Sequence, residues 1–180
     1  YHGLQGEGIA SVSGRFRHHA LGRADFPAVG DWVALRPSTD SGPAIIDALL
    51  ERTNKLSRKA AGESGEEQLL AANLDVLFLV TSHNLDLNPS RLERFLAAAA
   101  LPGCQPVLLL TKSDLCDSPA EAVANLRSRL GDLPVLTLSA LTGDGLDALL
   151  PYLSAGRTAA MLGSSGVGKS TLLNRLLGND

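Results

Sequence analysis

Eight consecutive residues, Gly163, Ser164, Ser165, Gly166, Val167, Gly168, Lys169 and Ser170, combine glycine, hydroxyl and amine chemistry at the spacing of a phosphate-binding loop. The glycines admit positive φ, so successive N–H groups can turn inward on phosphate oxygens, and a helix starting there adds its partial positive charge. In this chemistry Lys169 reaches the β and γ phosphates of a nucleoside triphosphate, and the Ser170 hydroxyl ligates magnesium. The flanks suit the role: Ala159–Leu162 is an apolar run that predicts a strand. Thr171 to Leu177 is an amphipathic run that predicts a helix.

A phosphate loop does not by itself choose between ATP and GTP. Thr111, Lys112, Ser113 and Asp114 follow the apolar run Val107–Leu110, at a strand's carboxyl end, where open parallel sheets bind ligands. An ionised carboxylate accepts two parallel hydrogen bonds; guanine offers adjacent N1–H and N2 amino donors, and adenine does not. Asp114 is therefore the expected base reader, with the aliphatic stem of Lys112 packing along the ring. Ser139, Ala140 and Leu141 follow the run Val135–Leu138 in the same way, and a backbone N–H there can donate to guanine O6. Each segment taken alone also fits an ordinary strand-end turn; the case for guanine rests on their occurring together with the phosphate loop.

The elements needed to position these groups are legible from Asn73 onward. Short apolar runs at Val76–Val80, Val107–Leu110, Val135–Leu138 and Ala159–Leu162 alternate with helical patterns, which predicts a parallel sheet covered by helices. Asn88-Pro89 and Ser118-Pro119 mark two helix starts, the second with Glu121 in place for a capping box. Leu146, Leu149, Leu150 and Leu153 predict an apolar face on a third helix, and Leu172, Leu173, Leu176 and Leu177 another on a fourth, stopped by Gly178. Before this region, runs near Gly8–Ser13, Arg15–Ala20, Asp31–Arg36 and Ala44–Leu50, with turns at Gly30-Asp31 and Asp40-Ser41-Gly42-Pro43, predict a small β barrel or sandwich. Residues 58–72, whose first part is rich in charge and glycine, read as a linker or mobile loop between residues 1–57 and 73–180.

Across 180 residues, 44% are hydrophobic and 19% charged, as in a folded soluble protein. No apolar run approaches the roughly 18 residues of a membrane span. Cys104 and Cys116 lack metal-ligand spacing and are expected as buried thiols in a reducing cytoplasm. Residues 1–59 carry eight Lys/Arg against six Asp/Glu, a charge of +2, and the remainder eight against thirteen, a charge of −5. Arg15, Arg17, His18, His19 and Arg23, on an expected hairpin, and Arg52, Lys55, Arg58 and Lys59 form basic groups that fit either a nucleic-acid backbone or a solvated face. The chain starts at Tyr1 and holds one methionine, Met161, so the natural start is expected upstream.

Thr111–Asp114, Ser139–Leu141 and Gly163–Thr171 resemble the guanine-specificity, guanine-contact and phosphate-binding motifs of translation-type GTPases, in permuted order, with the phosphate loop last. Together with Val29-Gly30-Asp31-Trp32-Val33, Arg58-Lys59-Ala60 and Leu70-Ala71-Ala72-Asn73-Leu74-Asp75, they make the chain similar, over roughly Gly6 to Gly178, to the RsgA (YjeQ) family of ribosome small-subunit-dependent GTPases. The resemblance implies an OB-fold barrel that contacts ribosomal RNA, followed by a circularly permuted α/β GTPase domain ending just after the phosphate-loop helix. It implies GTP or GDP with magnesium as ligands, the small ribosomal subunit and its RNA as partners in late subunit maturation, a cytoplasmic monomer, and zinc in a carboxyl-terminal Cys/His segment.

Thr111 stands where many GTPases have asparagine, which predicts a weakened contact to the base or to the phosphate loop. The switch segments expected after a phosphate loop are not present before Asp180, so residues 1–180 alone are expected to hydrolyse GTP poorly. No catalytic base is assigned; Asp75, Asp86 and His83 are read as turn or surface groups. An ATP-using phosphotransferase, or an RNA-binding module with a nucleotide switch, would share the phosphate loop, and relative binding of ATP and GTP separates the first of these.

Overall fold

The computed structural model describes residues 1–3, 6–37, 42–59, 67–83 and 89–178. Asp40, Ser41, Ala60, Asp86 and Asn88 lie outside the described residues. Tyr1–Asn73 and Leu74–Asp180 form separate compact units.

In the first unit, β1 (His2–Gly3) and β2 (Gly6–Glu7) make a short antiparallel ladder, β3 is Ala10–Val12 and α1 is Gly14–His19. β4 (Val33–Arg36) and β5 (Ala44–Leu49) pair antiparallel; β3 pairs parallel to β5, giving the order β3-β5-β4. Along β4, Val33 and Leu35 are half-buried while Ala34 and Arg36 are exposed, the alternation of a strand with two distinct faces.

Two expectations are corrected here. Arg15–Ala20 is not a strand: Ser13 Oγ accepts the Phe16 N–H at 3.1 Å and caps a helix there. Arg17, His18 and His19 lie in its last turn, where cations suit the carbonyl end, and Phe16 packs its ring 6.0 Å from that of Phe26. The basic cluster therefore sits on a helix rather than a hairpin, with Arg23 in the following 3-10 turn, Arg23–Asp25.

Nor are residues 58–59 and 67–72 a linker, while residues 60–66 of that expected stretch lie outside the described residues. β6 (Lys55–Lys59) and β7 (Glu67–Ala72) form an antiparallel pair in which Leu56, Ala71 and Ala72 are buried. The charges that suggested a loop pair across the strands: Lys55 Nζ lies 2.9 Å from Glu67 Oε2, and Arg58 Nε donates to Gln68 Oε1 at 2.9 Å.

Arg52 organises the unit. It donates to Asp31 at 2.7 Å through both Nε and Nη2, and to the carbonyls of Ala24 and Phe26 at 2.6 and 2.9 Å. The Asp31 side chain is 1% exposed and that of Arg52 18%. Burial acts to raise the Asp31 pKa, but hydrogen bonds from Arg52 and the Ala28 N–H, with the Arg52 charge, outweigh it and hold the carboxyl below the usual range. Asn73, at φ 55°, receives the Thr53 N–H on Oδ1 and donates Nδ2 to the Gly30 carbonyl, fastening the same turn to the end of β7.

The second unit carries the parallel sheet. β8 is Val76–Ser82, β9 Gln105–Thr111, β10 Val135–Thr137 and β11 Ala159–Gly163; their order is β10-β9-β8-β11, all parallel. Every residue of β8 is buried, which is why its run reads as continuously apolar. One face, with Val76, Phe78, Val80, Val107 and Leu109, packs with Leu138, Leu149, Val167 and Leu172 into one core cluster.

The helices are α2 (Pro89–Ala98), α3 (Pro119–Leu130) and α4 (Lys169–Leu177). Ser118 and Glu121 do not form the expected capping box: the Ser118 side chain makes no cap hydrogen bond, and Pro119 in the first turn starts α3. The third predicted helix is a 3-10 segment, Leu146–Tyr152, containing Pro151. Its period of three turns Leu146, Leu149 and Tyr152 toward the core and leaves Leu150 and Leu153 outside, so the predicted α-type face is half right. On α4, Leu172 and Leu176 pack inward while Leu173 and Leu177 are exposed.

Cys104 and Cys116 are free thiols but only partly buried. Among the described residues no helix is long and apolar enough to cross a membrane.

Because Asp31 titrates below its unfolded value, its contribution to stability is complete above the ordinary carboxylate range and is lost as pH falls through the lowered folded value. Asp31→Ala should cost about 3–5 kcal/mol at neutral pH by stranding the buried guanidinium. Urea denaturation at a series of pH values should find that gap narrowing in strong acid.

Candidate functional site

The chain runs outward through β8, β9 and β10, then returns to the other side of β8 for β11. This reversal puts a switch point between β8 and β11, and crevices outside the carboxyl ends of strands at such points are where open α/β sheets take ligands. The loop Gly163–Ser170 leaves β11 at that point and enters α4.

Two glycines in the loop are required by geometry. A Cβ on Gly163 would come 2.3 Å from the Val80 carbonyl oxygen of β8, so residue 163 can carry no side chain. Gly168, the residue before α4, has φ 93°, a conformation that side-chain-bearing residues rarely adopt. Between them Val167 is buried in the core cluster and anchors the loop from beneath, while Ser165 and Gly166 are exposed at its tip.

Lys169 bends back over the loop and donates to the carbonyls of Gly163 at 2.8 Å and Ser164 at 2.6 Å. An ammonium has three donors, so this posture fixes the charge at the mouth of the loop and leaves it one N–H. Ser170 and Thr171 follow in the first turn of α4, both exposed.

β9 ends beside this loop. Thr111 is 2% exposed, and its Oγ1 lies 2.5 Å from the Val167 carbonyl and 3.0 Å from that of Thr81. With one proton, the hydroxyl donates to Val167, and Thr81 offers a longer, alternative acceptor. The sequence predicted that threonine here would weaken a contact to the base or the phosphate loop. In the structure its hydroxyl bonds to that loop.

Lys112 then adopts φ 59°, turning the chain into the 3-10 segment Ser113–Leu115, where Asp114 is exposed. The Ser113 N–H donates to the Leu138 carbonyl at 3.2 Å, which brings the 111–114 and 139–141 segments to neighbouring strand ends. Ser139, 1% exposed, donates its N–H to the Asp144 carbonyl and accepts the Thr142 N–H on Oγ. Those bonds close the turn without using the Ala140 N–H. Ala140 is partly buried against the core, and Leu141 is 77% exposed.

Of the polar groups read as turn or surface residues, Asp75 holds the opposite end of the sheet, receiving the Thr158 N–H at 2.7 Å. His83, at the end of β8, is different. Its ring reaches Thr137 on β10, and the sequence alone gave no sign of this, because the partner lies 54 positions away. Among the described residues no cluster of three or more His, Cys, Asp or Glu could hold a metal ion. The magnesium expected of a phosphate loop is compatible with this site, since it needs one protein hydroxyl and phosphate oxygens rather than a cage of carboxylates, and Ser170 stands exposed beside Lys169.

Residues 49–180 match the family model described as RsgA GTPase. A protein of Methanosarcina acetivorans named small ribosomal subunit biogenesis GTPase RsgA is 54% identical over 152 residues, covering 84% of this chain and 41% of that protein. A similarly named protein of Opitutus terrae is 49% identical over 182 residues, covering 97% of this chain and 50% of its own length. The chain thus spans about half the length of the curated relatives it matches. Among solved structures, YjeQ from Thermotoga maritima superposes with a TM-score of 0.74 at 30% identity, over 96% of this chain and 58% of that one.

Thr111→Val should destabilise the second unit by about 1–3 kcal/mol, because the buried Val167 carbonyl loses its donor, whereas Thr111→Ser should stay near wild type. Urea denaturation distinguishes the two.

Proposed function

The chain belongs to the RsgA GTPase family, and on that footing we propose that it carries the guanine-nucleotide site of a GTP-hydrolysing factor for small ribosomal subunit assembly. The observation that carries this reading is the Thr111 hydroxyl bonded to the Val167 carbonyl. It joins the segment assigned to the base with the loop assigned to the phosphates, although 56 positions separate them.

In this reading Gly163, Ser164, Ser165, Gly166, Val167 and Gly168 wrap their backbone around the phosphates. Lys169 moves its ammonium from loop carbonyls to phosphate oxygens, exchanging one set of hydrogen bonds for stronger charge-assisted ones. Ser170, with Thr171 beside it at the start of α4, holds magnesium, which when bound neutralises phosphate charge. Asp114 accepts from guanine N1–H and N2, the Lys112 stem covers one face of the ring, and Ser113 ties their turn to β10. The loop Ser139-Ala140-Leu141 supplies an N–H to O6.

The first unit is assigned to ribosomal RNA, as an OB-type domain. Supporting this are its basic residues on α1 and an exposed Trp32. The names of the relatives support a small-ribosomal-subunit partner. A cytoplasmic, monomeric protein fits this role. Zinc in a carboxyl-terminal Cys/His segment, implied by the family resemblance, belongs to the same reading.

Fluorescent GDP displaced by GTP and ATP, measured on the full-length protein, tests the assignment. Asp114→Asn should reduce the preference for guanine about ten- to a hundredfold, and Lys169→Ala should weaken binding of both nucleotides. Hydrolysis should rise on adding small ribosomal subunits. Unchanged selectivity in Asp114→Asn rejects the base assignment, and turnover indifferent to the subunit rejects the partner.

A further inference from the structure

His83 closes β8 at the carboxyl edge of the sheet, and two of its bonds lead to the two segments assigned to the base. Its backbone N–H donates to the Thr111 carbonyl at 3.0 Å, the point from which Lys112–Asp114 departs. Its ring Nε2 lies 2.7 Å from Thr137 Oγ1, at the last residue of β10. β8 and β10 are not neighbours; β9 lies between them. The imidazole therefore crosses the end of β9, roughly two strand spacings of about 4.8 Å each, to reach its partner.

Thr137 is the footing of the loop that contains Ser139, Ala140 and Leu141. The loop leaves β10 one residue later, and Gly145, where it returns, lies so close that a Cβ there would be 2.3 Å from the Thr137 carbonyl oxygen. The other ring nitrogen, Nδ1, is buried and has no hydrogen-bond partner among the described residues. Burial pushes the His83 pKa down, which favours the neutral ring. A proton on Nε2, donated to Thr137, leaves only an acceptor unmatched at Nδ1; the other tautomer would bury an unpaired N–H. A ring kept at the cost of an unmatched nitrogen, and bonded across an intervening strand, is doing more than filling space.

We propose that His83 is a positioning residue for guanine recognition, its imidazole bonded to Thr137 so that the 139–141 loop presents its N–H to guanine O6. The inference rests on the O6 reading proposed above. It separates two recognition elements: the side chain of His83 supports the O6 contact, while its backbone N–H, which any residue supplies, supports the Thr111–Asp114 segment.

Two base analogues read these contacts independently. A 6-thioguanosine diphosphate replaces the O6 acceptor with sulfur, a weaker acceptor, and keeps both N1–H and the N2 amino group; inosine diphosphate keeps O6 and N1–H and lacks the N2 amino group read by Asp114. On the full-length protein, His83→Ala should lower the preference for GDP over the thioguanine nucleotide about three- to tenfold and leave the preference for GDP over inosine diphosphate unchanged. Thr137→Val should do the same, the double variant should lose no more than either single one, and His83→Gln, with an amide nitrogen at similar reach, should recover most of the loss. If wild type separates GDP from the thioguanine nucleotide and His83→Ala does so equally well, the inference is wrong. It is equally wrong if both preferences fall together with the melting temperature, since that is general loosening. Wild type that fails to separate the two nucleotides overturns the O6 reading itself, and this inference with it.

Discussion

The second unit is organised by the close approach of β11 to β8. At Gly163 the two strands leave no room for a side chain, since a Cβ would collide with the Val80 carbonyl. That contact fixes where the glycine-rich loop begins, next to a strand buried along its whole length. β9 flanks the other side of β8, so its last residue, Thr111, comes within hydrogen-bonding reach of the loop. Remove the close approach and the loop carbonyl at Val167 moves out of register with the hydroxyl that holds it.

From this contact the rest of the site follows as a set of short ties between strand ends. Thr111 ties β9 to the loop, Ser113 ties the 111–114 turn to β10, and His83 ties β8 to β10. Each bond is worth little alone, about 1 kcal/mol net. Their effect is geometric: each holds one strand end or loop in place against its neighbour. The first unit uses the same economy with a different chemistry, where the Arg52 guanidinium engages Asp31 and two carbonyls to fix the turn at Gly30-Asp31.

The parallel strands were legible because burial on both faces leaves uninterrupted apolar runs, and the loop between β11 and α4 because its glycines sit between an apolar run and an amphipathic one. Arg15–Ala20 misled because a six-residue stretch is short enough for one capping hydroxyl, Ser13, to decide its conformation. Residues 58–59 and 67–68 misled because charge was taken for solvation, when Arg58 and Glu67 find partners in Gln68 and Lys55 across β6 and β7. The Leu146–Leu153 face was read with a period of 3.6, while the chain, carrying Pro151, wound with a period of three.

The sequence by itself determined the order of the motifs, the type of each strand bearing them and the chemistry each side chain can offer. These depend on local pattern and on the identity of single residues. Only the tertiary structure decided that Thr111 spends its hydroxyl on Val167 and that His83 reaches Thr137, because hydrogen-bond partners 56 and 54 positions apart are chosen by strand order and register, which no local pattern encodes.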